Sequence, residues 1–449
     1  MNPTILRDRL AQAGLSAPSA ERKAELFQQA SIQLDHLRQQ RPAEETLYFV
    51  PGRIEVLGKH TDYAGGRSLL CTLEHGFCVV TSPRSDSFVR VVDIARHEDR
   101  QFALSEDLDI ATTDWSLYPK TVARRMARNF PGRMRGVDMV FASDLPSAAG
   151  LSSSSALVVA SFLAISKRNE LELHPAYRDN IKSRGDLATY LGCIENGQTF
   201  DVLAGDVGVG TFGGSEDHTA ILCCRVRQLS QFRFCPVRLE TTVGLPRDQV
   251  FVIGVSGVVA DKAGSVREKY NRASQTARAI LEIWRAASGQ TDSTLFEAIV
   301  HSPDAPQRIR QLLSQSQSCY SADTLIERLD QFVDECANII PAAVEALGQD
   351  NLIEFGKLVD RSQAGAEHGL RNQIAETLYL ASSARELEAT AASAFGAGFG
   401  GAVWAMVKSD HAEDFRAKWK NSYQARFPGL VNASHFFVER TGPSVLCLE

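Results

Sequence analysis

The sequence predicts a two-domain protein of mixed α/β class. Three observations carry that expectation. A chain of 449 residues is too long for one ordinary hydrophobic core. Its 44% hydrophobic and 23% charged residues are those of a globular chain. Strand-like and helix-like patterns alternate through the first half, and helical patterns dominate from residue 265 to about residue 392.

Bulk properties also exclude some function classes. A net charge of −6 argues against a general nucleic-acid binder. The nine cysteines are odd in number and none is spaced as CxxC. Reduced thiols in a cytoplasm fit this best, and a zinc site is disfavoured. Arg7, Asp8 and Arg9 interrupt the N-terminal stretch, unlike a secretory leader. No apolar run approaches the ~20 residues that span a bilayer. The expectation is a cytoplasmic protein with no membrane and no nucleic-acid partner, as a monomer or homodimer.

Residues 1–41 are helical in pattern, with Leu6 and Leu10, then Leu26, Ile32, Leu34 and Leu37. Gly14 and Pro18 divide them into two helices. Nothing in this extension, residues 1–44, suggests chemistry. A strand over 46–50 leads into Pro51-Gly52-Arg53-Ile54-Glu55-Val56-Leu57-Gly58-Lys59-His60-Thr61-Asp62-Tyr63. Gly52 to Gly58-Lys59 looks like a P-loop, but five residues separate the glycines and His60 follows the lysine. A P-loop has one residue fewer there, then Lys and Ser or Thr. The segment is either a binding turn for a small polar ligand or a polar loop whose His60 and Asp62 satisfy backbone groups. Runs at 76–81 and 88–92 read as strands, 118–129 as a helix and 137–142 as a strand.

That last strand enters Leu145-Pro146-Ser147-Ala148-Ala149-Gly150-Leu151-Ser152-Ser153-Ser154-Ser155, which runs into an apolar segment, 156–166, without Gly or Pro. It reads as a turn opening a buried helix. Free backbone N–H groups, short hydroxyls and the positive end of the helix dipole converge there, so phosphate is the natural guest. A serine N-cap with loop neighbours is the plainer alternative.

Further on, Glu195 precedes Gly205, Gly208, Gly210, Gly213 and Gly214, which end at Ser215-Glu216-Asp217-His218. Clustered glycines beside these acids suggest close approach of backbone to a ligand. A strand is expected at 219–224, a hinge at 245–248, a buried strand at 250–259, and a long helix at 265–286 carrying Tyr270 and Asn271. Gly396-Ala397-Gly398-Phe399-Gly400-Gly401 precedes a final strand. Alone, that loop could be an ordinary tight turn.

Together, the three segments resemble the GHMP kinase superfamily and, within it, the galactokinases. Galactokinases carry Gly-Arg-x-Asn-x-x-Gly-Glu-His-Thr-Asp-Tyr near the N-terminus, similar to Gly52 through Tyr63 here. Pro146 through Ser154 matches their Pro-x-x-x-Gly-Leu-Ser-Ser-Ser, and Gly396 through Gly401 their Gly-x-Gly-Phe-Gly-Gly. The resemblance implies two lobes: a ribosomal S5 domain 2-like α/β domain over 45–245 and a ferredoxin-like α+β domain over 246–449. It implies a kinase that moves the γ-phosphoryl group of ATP, with Mg2+, onto the anomeric C1 hydroxyl of galactose or a related hexose. Pro146, Gly150, Leu151, Ser152, Ser153, Ser154 and Ser155 would hold the nucleotide phosphates, with Ser154 and Glu195 on the metal. Asp217 would be the base, with Arg53 beside it. Lys59, His60, Asp62, Tyr63, Gly214, Tyr270, Gly398 and Gly400 would surround the sugar.

The chemistry is consistent with that assignment. Phosphoryl transfer needs positioning and electrostatic stabilisation more than covalent chemistry. A glutamate offers Mg2+ a hard oxygen and an arginine offers a permanent cation. An aspartate at its ordinary pKa is a weak base, so orienting the sugar hydroxyl is as much its task as removing the proton.

The sequence departs from the family at four places. Lys59 stands where galactokinases have Glu, at the sugar's far end, and Glu55 where they have Asn. A lysine facing the pocket would favour an acidic sugar such as galacturonate or glucuronate; a Lys59–Glu55 pair would leave it neutral. Glu195 lies farther from Asp217 than is usual in galactokinases. Their Cys-Pro-Glu-Leu-Asp segment is missing, its equivalent falling within 372–387. A catalytically silent sugar and ATP sensor is the remaining alternative, disfavoured by the survival of Asp217, Arg53 and the serine run.

Overall fold

A computed structural model of the protein describes residues 2–38, 44–146, 150–258 and 264–448, with only the backbone for 264–266. Three residues of the serine turn, 147–149, and the last residue of the strand expected at 250–259 lie outside this range.

Two helices come first, α1 (Pro3–Gln12) and α2 (Ala17–Leu37). The Asn2 side chain caps α1 by accepting from the backbone N–H of Thr4. Ala20, Ala24, Phe27, Ala30 and Leu34 fall on one face of α2 and pack on the sheet behind it. That sheet contains β1 (Thr46–Leu57), β2 (Arg67–Pro83), β3 (Phe88–Asp93), β4 (Glu98–Ala103), β5 (Val137–Ser143), β6 (Gln228–Arg233) and β7 (Arg238–Gly244). The chain's last strand, Leu446–Leu448, pairs with β1 at its edge. From that edge the order runs through β1, β2, β5 and β3 to β4, with β6 on β2 and β7 on β6. Only β3 and β5 run parallel.

Helices α3 (Leu117–Asn129), α4 (Ser153–Arg168), α5 (Pro175–Asn180), α6 (Arg184–Asn196) and α7 (Glu216–Cys223) interrupt these strands in the chain. Alternate residues of β2 explain how the sheet is filled. Phe77 and Val79 join the core shared with α4, whereas Cys78 and Val80 join the core under α2. Both faces are covered, so the strand reads as a continuous apolar run rather than an alternating one.

The second sheet has β8 (Gln249–Val255), β9 (Ala391–Phe395), β10 (Ala402–Lys408) and β11 (His435–Glu439), all antiparallel in the order β11-β8-β10-β9. Its helices are α8 (Gly264–Ser288), α9 (Leu295–Val300), α10 (Ala305–Gln315), α11 (Ala322–Val333), α12 (Ile340–Gly348), α13 (Leu352–Gly365), α14 (Ala375–Glu386) and α15 (Ala412–Arg426). Among the described residues no helix is long and apolar enough to cross a membrane.

Three expectations need correction. Residues 219–224 fall in helix α7 and its end, not in a strand. Thr219 and Ile221 are β-branched, but Glu216 and Asp217 occupy the first helical turn, where acidic groups complement the dipole. The strand expected to end at residue 50 runs on to Leu57, with a register shift between Pro51 and Arg53. Proline, lacking an N–H, is tolerated at such an irregularity. Arg53 and Glu55 are therefore strand residues two apart, on one face. Lastly, residues 446–448 belong to the first sheet rather than to the second unit.

Candidate active site

Residues from β1, β5, α4, α6, α7, α8 and the glycine loop after β9 line one cleft of about 540 Å³, a size suited to a small-molecule ligand. At one end, α4 begins abruptly. Ser152 adopts a left-handed backbone (φ 63°) at its N-cap, and the first-turn residues that follow, with N–H groups lacking intrahelical partners, line the cleft. Gly150, Ser152, Ser153, Ser154 and Ser155 line the cleft. Leu151 is buried behind it, its carbonyl accepting from Arg53 N (3.4 Å). Pro146 precedes the turn without lining the cleft.

Asp217, in the first turn of α7, meets this helix end. The Ser155 hydroxyl lies 3.2 Å from Asp217 Oδ2 and 3.0 Å from Glu195 Oε2. One hydroxyl proton cannot serve two carboxylates at once, whereas a hard cation between three oxygens can. The donor set therefore fits Mg2+, with the Ser155 hydroxyl bonded to Glu195. Among the described residues no group of three or more His, Cys, Asp and Glu could hold a metal unaided. Mg2+ is commonly held by one or two carboxylates together with substrate phosphates. The long passage between Glu195 and Asp217 is tied to neighbouring helices, and its Val209, Thr211 and Gly213 line the cleft. Arg124 binds Asp206 (2.7 Å), and Asn271 on α8 binds both Gly210 O (3.1 Å) and Phe212 N (2.9 Å). Glu195 thus keeps its place beside Asp217 in spite of the extra residues.

Arg53 reaches across from β1. Its Nε and Nη2 both lie 2.7 Å from Asp217 Oδ1, and Nη1 donates to Gly150 O (2.6 Å). Burial works against its charge, but Asp217, Glu216 and Glu55 more than offset that and raise its pKa. The guanidinium therefore stays charged and ties the base candidate to the serine turn.

At the other end, Asp62 accepts from the backbone N–H groups of Tyr63 (2.8 Å) and Glu216 (3.0 Å), so the plainer alternative for this residue describes part of what it does. It also lines the cleft, as do His60, Tyr63, Gly214, Tyr270, Gly398 and Gly400. A Cβ on Gly214 would stand 2.4 Å from Asp62 Oδ2, and one on Gly398 2.4 Å from Asn372 O. Both positions require glycine, and Gly398 also has φ 82°. The Tyr270 ring lies 5.3 Å from that of His60. Burial, then Asp62 and Asp217, push its hydroxyl well above the ordinary value, so it is a neutral donor.

Lys59 does not line this cleft, contrary to its expected place at the sugar. It is 1% exposed, and its Nζ donates to Ser362 Oγ (3.1 Å), which donates to Glu335 Oε1 (2.9 Å). A buried ammonium needs acceptors and a counter-charge, and the C-terminal helices supply both. Its charge still lowers the Glu55 pKa, so the expected pairing with Glu55 acts through space. Seven carboxyl side chains and three arginines line the cleft among the described residues. An acidic sugar would meet that excess without a lysine to receive it.

Sequence reasoning missed several residues. Trp115, Tyr118, Arg96 and Thr112 line the cleft beyond the serine turn. Trp115 is held by Glu98 through its indole N–H (2.5 Å) and offers a half-buried aromatic face, suited to a nucleobase. The signal was a tryptophan just before an amphipathic helix. Arg328, on α11, donates to His60 O (2.6 Å) and to the Tyr63 hydroxyl (3.3 Å). Since the Ala397 carbonyl only accepts, His60 Nε2 carries the hydrogen (3.2 Å), and Nδ1 of the neutral ring accepts from the Tyr63 hydroxyl (3.1 Å). Nothing local to Arg328 in the sequence marks it.

Three family patterns match the chain: the galactokinase galactose-binding signature at residues 38–83, the GHMP kinases N terminal domain at 118–204 and the GHMP kinases C terminal domain at 343–425. The chain belongs to the GHMP kinase superfamily. This GHMP kinase is similar to the galactokinase of Chloroflexus aurantiacus, with 27% identity over 385 residues, covering 84% of the chain and 87% of that protein. It is 24% identical to the galactokinase of Haemophilus influenzae over 393 residues, covering 86% and 91%. Its fold matches that of Lactococcus lactis galactokinase complexed with galactose at a TM-score of 0.74, with 23% identity, covering 94% of the chain and 99% of that structure. The two-lobed GHMP architecture expected from the motifs is the one observed.

Proposed function

We propose that the protein is an ATP-dependent kinase that phosphorylates galactose, or a closely related neutral hexose, at the anomeric C1 hydroxyl. One observation carries this reading: the Asp217 carboxylate, held by Arg53, lies 3.2 Å from the Ser155 hydroxyl in the first turn of α4. An acceptor for a sugar proton and a donor array for phosphate therefore share one point. In this reading the serine turn holds the nucleotide phosphates, and Trp115 and Tyr118 flank the base. Mg2+, held by Ser155 and Glu195 with Ser154 nearby, neutralises phosphate charge when bound. Arg53 fixes Asp217 and faces the charge that builds up during transfer. His60, Asp62, Tyr63 and Tyr270 orient the sugar. The chain divides into an N-terminal extension to residue 44, a sugar and phosphate lobe to 245 and a second lobe beyond, apart from the returning last strand.

The test is ATP consumption with galactose, N-acetylgalactosamine, galacturonate and glucuronate. Turnover of galactose with neither uronate used is expected. Preference for a uronate would overturn the substrate assignment.

A further inference from the structure

The N-terminal extension has no task in the reaction just described, and none of the three family patterns reaches α1 or α2. Yet α2 buries a lysine. Ala20, Ala24 and Phe27 belong to its apolar face, and Lys23 lies among them at 1% exposure, whereas Arg22 and Glu25 nearby are exposed. A lysine is rarely buried so fully unless it is paired. Its Nζ bonds to Asp144 Oδ2, and the Phe49 ring lies under the ammonium, 5.9 Å to the centroid. A second buried carboxylate holds the start of the same helix. Glu74 accepts from Ser16 N (2.6 Å), Ser16 Oγ (2.7 Å) and Ser19 Oγ (2.6 Å). Strand β2 thus supplies the N-terminal cap that the Ser16 side chain does not make.

Asp144 directly follows β5, and the serine turn starts from it. Its other oxygen, Oδ1, accepts from Gly76 N (2.9 Å). Ser143 before it and Leu145 after it both line the cleft. Leu145 N donates to Ser143 Oγ (3.1 Å), which donates to Gly76 O (3.3 Å). A Cβ on Gly52 would stand 2.7 Å from Leu145 Cδ2 and 2.9 Å from Leu151 O. Leu145 and Leu151, on either side of the turn, therefore both press on β1 one residue before Arg53.

We propose that Lys23 is a positioning residue for the nucleotide phosphates: by holding Asp144, it fixes the point from which the serine turn leaves β5. Without the ammonium, a largely buried carboxylate loses its counter-charge. It then turns toward water, and Leu145, the next residue in the chain, is displaced with it. The inference rests on the proposed reading of the serine turn as the phosphate site.

Calorimetry of ATP binding with Mg2+ present tests this in wild type, Lys23→Met, Asp144→Asn and the double variant. Each single change should weaken binding about tenfold, and the double change no further, since all three break one contact. With galactose, the KM for the sugar should stay at the wild-type value. Ser19→Ala is the control. It loosens the same helix at Glu74 and should lower Tm while the affinity for ATP holds. Unchanged affinity in both single variants would mean that the pair serves the fold alone. Single effects that multiply in the double variant would mean two separate causes. Equal weakening by Ser19→Ala would mean that any loosening of the extension suffices. Each of these three results overturns the proposal. If Lys23→Met does not fold, Asp144→Asn reports on the same contact, its amide oxygen still able to accept from Gly76 N. A wild-type protein that binds no ATP would sink the nucleotide reading, and this inference with it. One that binds ATP but leaves galactose untouched would sink only the substrate assignment, and the affinities would still judge Lys23.

Discussion

The two ends of the cleft follow opposite charge logic. At the serine turn, Asp217 is matched by Arg53, and the Ser155 hydroxyl stands between Asp217 and Glu195. Donors face one way and hard oxygens the other, as a phosphate chain with its metal requires. At the end proposed for the sugar, Glu55, Asp62 and Glu216 line the cleft, and the cation expected there, Lys59, is turned away into the C-terminal helices. That end suits hydroxyl groups and repels anions. A residue type inside a recognisable motif thus does not settle what a pocket binds; the direction in which its side chain finds partners does.

The contrast can be broken first at Asp217. Asp217→Asn should lower turnover about a thousandfold while calorimetry shows ATP binding unchanged; persistent turnover would remove the base assignment. Glu195→Gln probes only the phosphate end. It should raise the Mg2+ concentration for half-maximal rate by about tenfold and leave the KM for sugar alone. Arg328→Lys probes only the sugar end, since it removes the fork that holds His60 O and the Tyr63 hydroxyl. An increase of about tenfold in the KM for galactose, with kcat and the KM for ATP little changed, is expected. An equal effect on both substrates would show that the network is merely structural. Lys59→Met should cost about 3 kcal/mol in denaturant unfolding, because Glu335 loses its nearby charge. It should not alter the discrimination against uronates. Were galacturonate used by wild type and lost in Lys59→Met, the lysine would read the substrate after all.

How much of this was legible in the sequence follows from where each signal lies. The serine turn and the glycine loop are local: a run of serines before an apolar helix and glycines at positive φ announce themselves within a dozen residues or so. Their convergence on one cleft with Asp217 and Arg53 was inferred from family resemblance, since no local pattern encodes a contact across 164 residues. Arg328 is 268 residues from the carbonyl it holds and sits in an ordinary amphipathic helix, so nothing marked it. Glu55 was placed in a binding turn or polar loop after residue 50, whereas the strand runs on and absorbs Pro51 at a register shift. Helix α7 was misread because eight residues hold too little of the 3.6-residue period to outweigh Thr219 and Ile221. The lysine-for-glutamate change at residue 59 was visible, but the helix that receives the charge is encoded far downstream at Glu335 and Ser362.

Phosphorus NMR of the reaction with ATP, Mg2+ and galactose tests the central claim most directly. A new phosphomonoester coupled to the sugar's anomeric proton, absent when Asp217→Asn replaces the wild type, is the predicted spectrum. A phosphate coupled to any other sugar proton, or the same product from the variant at the same rate, would contradict the account.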